Sequence, residues 1–219
     1  MSRRRLVLLR HGRTAWNDTG RAQGRHDVPL DEVGHQQAAA VAPVLAALRP
    51  VALWTSDLTR ARQTAAYLET ATGLTARLDP RLQEYDVGAR QGMTVPEFAA
   101  AFPEAHAAWD DGDDMPIVPG AEVATDVAAR IVPALSDALA ALADGQTGIV
   151  VTHGAALKVG VLGLLGWPLR QAAELAGLDN CCSATLRESA SAERLRLADW
   201  NRGVPTPMNR CQGAQPLDP

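Results

Sequence analysis

The chain has 219 residues, 21% of them charged, and a formal net charge of −4. That length supports one good core with a small appended lobe, and the mildly acidic balance argues against a dedicated nucleic-acid or membrane-surface binder. Three cysteines, Cys181, Cys182 and Cys211, are too few for a disulfide scaffold and show no metal-ligand spacing.

The chain opens on arginines, but the apolar run Leu6-Val7-Leu8-Leu9 is far too short for a signal-peptide core. It reads instead as a buried parallel strand near 6–9 that runs into Arg10-His11-Gly12. A helix is expected over about 31–48, with Asp31 as its N-cap. A strand near 51–56 leads to a second helix over about 57–72, capped by Asp57 and closed by Gly73. A strand near 75–79 precedes Leu82-Gln83-Glu84, which offers a carboxyl group.

The stretch 85–121 differs from its surroundings. It is rich in Gly, Pro and acids, holds a short helix at about 94–102, and carries the run Asp110-Asp111-Gly112-Asp113-Asp114. It reads as a cap over the sheet mouth, and the acid run lacks the spacing of a calcium loop. A long helix over about 122–143 follows. Next comes the apolar run Ile149-Val150-Val151-Thr152, a strand near 148–152 that ends on His153-Gly154, and then a helix over about 155–165. Cys181 and Cys182 read as small buried hydrophobes. Strands near 183–188 and 194–199 suit an antiparallel edge hairpin. Residues 204–219 are expected to form a weakly ordered tail behind a single domain at 1–203. No segment approaches transmembrane length, so a cytoplasmic protein is expected.

Strand–helix alternation of this kind predicts an α/β three-layer sandwich. It has a mainly parallel central sheet of about six strands with an antiparallel edge, helices on both faces and a small cap. Open α/β sheets do their chemistry just past the carboxyl ends of the strands. His11 and His153 each follow a strand end. So do Glu84 and the segment from Ser56 to Ala65, whose Arg60 lies in the first turn of a helix. If the first and fourth strands are neighbours, these groups converge on one anion-binding mouth. Trp16 and Trp109 are candidates for its wall and the other tryptophans for the core; His26, His35 and His106 read as surface residues.

These stretches resemble the histidine phosphatase superfamily, also called phosphoglycerate-mutase-like. The match runs through Leu9-Arg10-His11-Gly12-Arg13-Thr14 and Asn17, then Gly20-Arg21-Ala22-Gln23-Gly24. It continues with Ser56 to Ala65, Leu82-Gln83-Glu84, Gly120-Ala121-Glu122 and Val151-Thr152-His153-Gly154. The resemblance implies that His11 is the phosphate-accepting nucleophile and Glu84 the proton donor. Arg10, Arg60 and a charged His153 would hold the phosphoryl group, with Asn17, Gln23 and Gly154 at the substrate. It implies a small phosphorylated substrate, no metal and no cofactor; the oligomeric state is open between monomer and homodimer.

Hydrolysis is favoured over the two alternatives, a mutase and a non-catalytic phospholigand binder. Gln23-Gly24-Arg25 stands where mutases resemble Ser-Gly-Trp, Ala155 stands where they typically have Asn, and no catalytic position is substituted. Val127-Ala128-Ala129-Arg130 and Leu197-Ala198-Asp199-Trp200-Asn201 are similar to actinobacterial glucosyl-3-phosphoglycerate phosphatases, which makes that ester the expected substrate. The cap departs from them, and Arg90 stands where relatives often carry an acid.

Overall fold

In the computed structural model, which describes residues 3–110, 118–189 and 194–204, six strands form one sheet. They are β1 (Arg5–Arg10), β2 (Ala52–Thr55), β3 (Arg77–Leu78), β4 (Thr147–Thr152), β5 (Ser183–Glu188) and β6 (Leu195–Arg202). Their order is β3-β2-β4-β1-β5-β6. The first four are mutually parallel, whereas β5 runs antiparallel to β1 and β6 antiparallel to β5. The helices are α1 (Ala15–Asp18), α2 (Glu32–Ala46), α3 (Thr59–Thr72), α4 (Val95–Ala101), α5 (Pro103–Asp110), α6 (Ala124–Ala140) and α7 (Gly154–Leu165).

The sandwich follows from period-2 alternation in the central strands. Leu6, Leu8 and Val150 point into a core shared with α6 and α7. Val7, Leu9, Ile149 and Val151 point into the opposite core, shared with α2 and α3. Both faces of β1 and β4 are thus covered, which is why each reads as an unbroken apolar run. On α6 the buried positions Val127, Ile131, Ala134, Leu135 and Ala138 form one helical stripe. Full burial of Ile131 or Leu135 is worth roughly 2 kcal/mol each.

Asp31 caps α2 as expected, accepting from Gly34 N at 2.7 Å, and Gly73 closes α3 at φ 73°. Asp57, however, does not cap α3. That helix starts after Leu58, and Asp27 accepts from both Thr59 N (2.7 Å) and Thr59 Oγ1 (2.6 Å). Asp57 turns instead to Gln83 Nε2 at 2.8 Å, tying the helix entry to the Glu84 loop. The short helix expected at 94–102 is α4, and a second helix that the sequence reading did not anticipate, α5, follows it directly and opens on Pro103; proline fits the first turn of a helix, where its missing N–H costs nothing. Trp54 is in the core as expected, but Trp167 is 44% exposed, just beyond the left-handed Gly166 that ends α7.

Cys181 and Cys182 are buried and unbridged. Residues Asp111 to Asp114 of the acid run, and the tail from 205, lie outside the described residues. No helix among the described residues is long and apolar enough to cross a membrane.

The loop after β1 is held by backbone packing against the start of α2. A Cβ added at Gly34 would lie 2.0 Å from Arg13 O, and one at Gly12 would lie 2.6 Å from Gly34 O. Neither contact involves a side chain that can swing away. Gly34→Ala is therefore expected to cost about 2 kcal/mol or more by overpacking. Urea unfolding should show a lower midpoint with an unchanged slope; an unaltered midpoint would refute this account.

Candidate active site

Parallel pairing of β1 with β4 sets Arg10 opposite Thr152, so the next residues, His11 and His153, leave the sheet side by side. Their ring centroids lie 5.1 Å apart. His11 N donates to Thr152 O at 3.0 Å, which locks the two strand ends together. A cavity of about 260 Å³ opens over them. Arg10, His11, Asn17, Gln23, Arg60 and Glu84 line it, so six of the eight expected site residues share one wall. His153 and Gly154 sit directly behind that wall. A Cβ on Gly154 would press on the Arg10 guanidinium, 3.3 Å from Nε, so this glycine acts by leaving room for Arg10.

Each side chain is placed by identifiable contacts. His11 Nδ1 lies 2.7 Å from Gly12 O. Since a carbonyl only accepts, Nδ1 carries the proton and Nε2 keeps its lone pair. Arg60, fully buried, donates from Nη2 to Gly24 O (2.7 Å), from Nη1 to His26 O (2.8 Å) and from Nε to His153 Nδ1 (3.2 Å). His153 Nδ1 is therefore an acceptor, which puts the proton on Nε2, 2.9 Å from Ser56 Oγ. Arg10 Nη1 donates to Leu178 O, while its buried Nε has no hydrogen-bond partner.

Asn17 caps α1 through its oxygen, which accepts from Thr14 N at 3.1 Å and from Asn180 Nδ2 at 3.3 Å. Its NH₂ group is left for the cavity side. Gln23 is buried with an unpartnered amide oxygen. The Glu84 carboxylate accepts three backbone N–H bonds, from Tyr85 (3.0 Å), Ala155 (3.1 Å) and Ala156 (2.8 Å). Two of these donors belong to the first turn of α7, where the helix dipole favours a negative group.

Electrostatically the wall is cationic, and its central groups His11 and Arg60 are buried. Burial pulls Arg60 down to about 10, so it remains charged at neutral pH. Burial lowers Arg10 as well. Burial, then the charges of Arg60 and Arg10, hold His11 well below its ordinary 6.5. His153 is held down by burial, Arg60 and His11 in turn. The expected positive charge on His153 is therefore absent from the free site; a neutral ring accepts from Arg60 there, and only an incoming anion would favour its protonation.

Arg21, Tyr85, Val87, Arg90 and Trp109 complete the lining. The Arg90 guanidinium lies 4.4 Å from the Phe98 ring centroid and 5.2 Å from that of Trp109. Trp109 thus walls the cavity as expected, whereas Trp16 stacks on exposed His26 at 4.7 Å. Sequence reasoning missed Asn180, which donates to His11 O at 3.0 Å, and the partnership of Ser56 with His153. Asn180 lies in no strand-end motif; only its nearness to the Cys181-Cys182 turn could have flagged it. Among the described residues no group of three or more His, Cys, Asp or Glu side chains could hold a metal ion.

The family described as histidine phosphatase superfamily (branch 1) matches residues 6–202. The chain is 37% identical to a glucosyl-3-phosphoglycerate phosphatase of Mycolicibacterium vanbaalenii, over 90% of this chain and 94% of that one. It is 40% identical to a metal-independent phosphoserine phosphatase of Arabidopsis thaliana, over 70% of this chain and 65% of that one. A solved mycobacterial glucosyl-3-phosphoglycerate phosphatase in complex with VO₃ superposes at a TM-score of 0.83, with 37% identity, covering 90% of this chain and 98% of that one.

The ring states are open to measurement. Nitrogen-15 NMR of the free protein should show both buried imidazoles neutral at pH 6.5 and below, His11 protonated on Nδ1 and His153 on Nε2. Titration of either ring near 6.5, or the opposite tautomers, would contradict the geometry. The sign on stability follows. As pH falls below 6.5 the unfolded chain binds protons that the folded chain refuses, so the unfolding free energy should decline there.

Proposed function

Because this chain belongs to branch 1 of the histidine phosphatase superfamily, we propose that it is a metal-independent phosphomonoesterase working through phosphohistidine, with glucosyl-3-phosphoglycerate as its substrate. It is a phosphoric monoester hydrolase. The observation that carries the reading is His11: a buried neutral imidazole, tautomer fixed by Gly12 O, with Nε2 free on a cationic wall.

In the proposed first step the His11 Nε2 lone pair attacks phosphorus in line with the ester oxygen. The P–O bond to the alcohol breaks, and the Glu84 carboxyl proton passes to the departing oxygen. His11 becomes an N-phosphoimidazolium whose Nδ1–H still donates to Gly12 O. Water then attacks the same phosphorus, Glu84 carboxylate takes its proton, the P–N bond breaks, and phosphate and neutral His11 are restored. Microscopic reversibility gives the one carboxyl group both roles.

Uncatalysed monoester hydrolysis needs an acceleration of up to ~10²¹-fold, of which one positioned acid supplies about 10²–10⁴. The larger share falls to charge stabilisation and in-line placement. Arg10 and Arg60 supply fixed guanidinium charge against the three equatorial oxygens, with Asn17 and Gln23 adding amide contacts. His153 orients against Arg60 and takes up positive charge as the phosphoryl group arrives.

Hydrolysis is favoured over phosphoryl exchange because the relatives matching over nine tenths of the chain are named as phosphatases. Substrate choice belongs to the cap, where Arg90 lines the cavity beside Trp109, and Arg21, paired with Glu97, approaches from the segment after α1. A carboxylate-bearing ester suits those charges, and a sugar ring suits the flat face of an indole.

His11→Ala should reduce hydrolysis of p-nitrophenyl phosphate by about 10⁴-fold or more while vanadate still binds. In a substrate panel, kcat/KM for glucosyl-3-phosphoglycerate should exceed that for 3-phosphoglycerate or hexose phosphates by about tenfold, a difference of one or two good contacts. Equal values across the panel would remove the substrate assignment and leave the phosphatase standing. Full activity in His11→Ala would remove the mechanism.

A further inference from the structure

Arg130, on α6 and outside the cavity, directs three of its five donors to the segment that carries Glu84 and the other two to Glu122. Nη1 donates to Arg81 O (3.0 Å) and Gln83 O (2.6 Å), and Nη2 to Glu84 O (2.9 Å). The remaining Nη2 and Nε protons go to the two oxygens of Glu122, at 2.9 and 3.0 Å. A guanidinium has five N–H groups, and all five are used. Glu122 extends the grip. Its Oε2 accepts from Asp86 N at 2.9 Å, and its Oε1 accepts from Arg25 Nη2 at 2.6 Å.

The Glu84 backbone is therefore held on both sides, through carbonyls 81, 83 and 84 before it and the amide of 86 after it. Such a fork fixes direction as well as position, which a point charge on a flexible stem does not. Both partners are largely out of water, at 16% and 17% side-chain exposure. Burial alone would raise the Glu122 carboxyl, but the Arg130 hydrogen bonds and the other donors outweigh it and keep it below its ordinary value. Glu122 is thus held as a carboxylate.

We propose that Arg130 and Glu122 form a positioning pair that aims the proton donor Glu84 at the leaving oxygen. The proposal rests on the reading of Glu84 as that donor. Arg130 makes no hydrogen bond to His11, Arg10, Arg60 or His153, and its charge alone is felt at His153, so a substitution that keeps the charge but loses the fork should weaken protonation of the leaving group and spare the phosphoryl clamp.

Leaving-group dependence separates this role from general structural support. The ratio kcat/KM reports the steps up to alcohol release, the ones a proton donor serves. An alkyl ester such as 3-phosphoglycerate needs that proton; p-nitrophenyl phosphate, with its acidic phenol, hardly does. Glu84→Gln sets the benchmark and should lower kcat/KM about 10²-fold or more on the alkyl ester and far less on the aryl ester. Arg130→Lys should reproduce the pattern in weaker form, roughly ten- to thirtyfold against under threefold, with vanadate affinity unchanged within about twofold.

If Glu84→Gln harms both esters alike, the assignment of Glu84 as donor falls, whatever Arg130 does. If Glu84→Gln discriminates but Arg130→Lys harms both esters equally, or neither, the positioning role is overturned while the mechanism stands. Should Arg130→Lys fail to fold, Glu122→Gln, which keeps the shape and removes the charge, decides by the same criterion.

Discussion

A buried guanidinium with no carboxylate among its hydrogen-bond partners is the constraint on which the rest of the site depends. Arg60 is fully inside the protein, and its bonds go to two backbone carbonyls and one imidazole nitrogen. Carbonyls satisfy hydrogen bonds without neutralising charge, so the field survives. The same bonds shape the pocket. Reaching Gly24 O and His26 O draws the segment between α1 and α2 onto α3 and brings Gln23 to the cavity. Reaching His153 Nδ1 fixes that ring's tautomer and, through it, the hydroxyl of Ser56.

One arrangement of charge thereby does two things at once. The positive field that draws in a phosphate dianion also opposes protonation of His11, and a protonated His11 would have no lone pair to offer. Attraction and nucleophilicity, which would compete if the field came from the histidine itself, are separated between residues. The residues proposed as clamp and nucleophile stand on strand ends and helix starts, whereas Arg90 and Trp109 stand on the 85–121 segment. On the proposed reading, reaction type and substrate choice reside in different parts of the chain, which would let one vary without the other.

How much of this was legible in the sequence depended on how local the signal was. The central strands are buried on both faces, so their apolar runs and the histidines that end them stood out, while the β1–β4 pairing was a condition that only the structure supplies. Local rules failed where distant residues competed for the same groups. Asp57 has the right type and place for a cap, yet Asp27, thirty residues earlier, takes the amide at the helix start. The setting of His153 in the free site was not legible, because residue type says nothing of burial or of an Arg60 Nε aimed at the ring. Asn180 carries no periodic or motif signal, since its role exists only after the turn before β5 folds back to His11.

The position of β4 between β1 and β2 has a consequence for how the chain acquires its structure. Neither of those two early strands hydrogen-bonds to the other; each pairs with β4, which is made much later. During synthesis, β1 and β2 must wait with open edges facing a gap, and no part of the anion wall can close before that gap is filled. Pairings of such long sequence separation are slow to form, and unfilled strand edges invite pairing with other chains. The architecture that juxtaposes two histidines so firmly in the finished protein makes the nascent one dependent on a single late insertion.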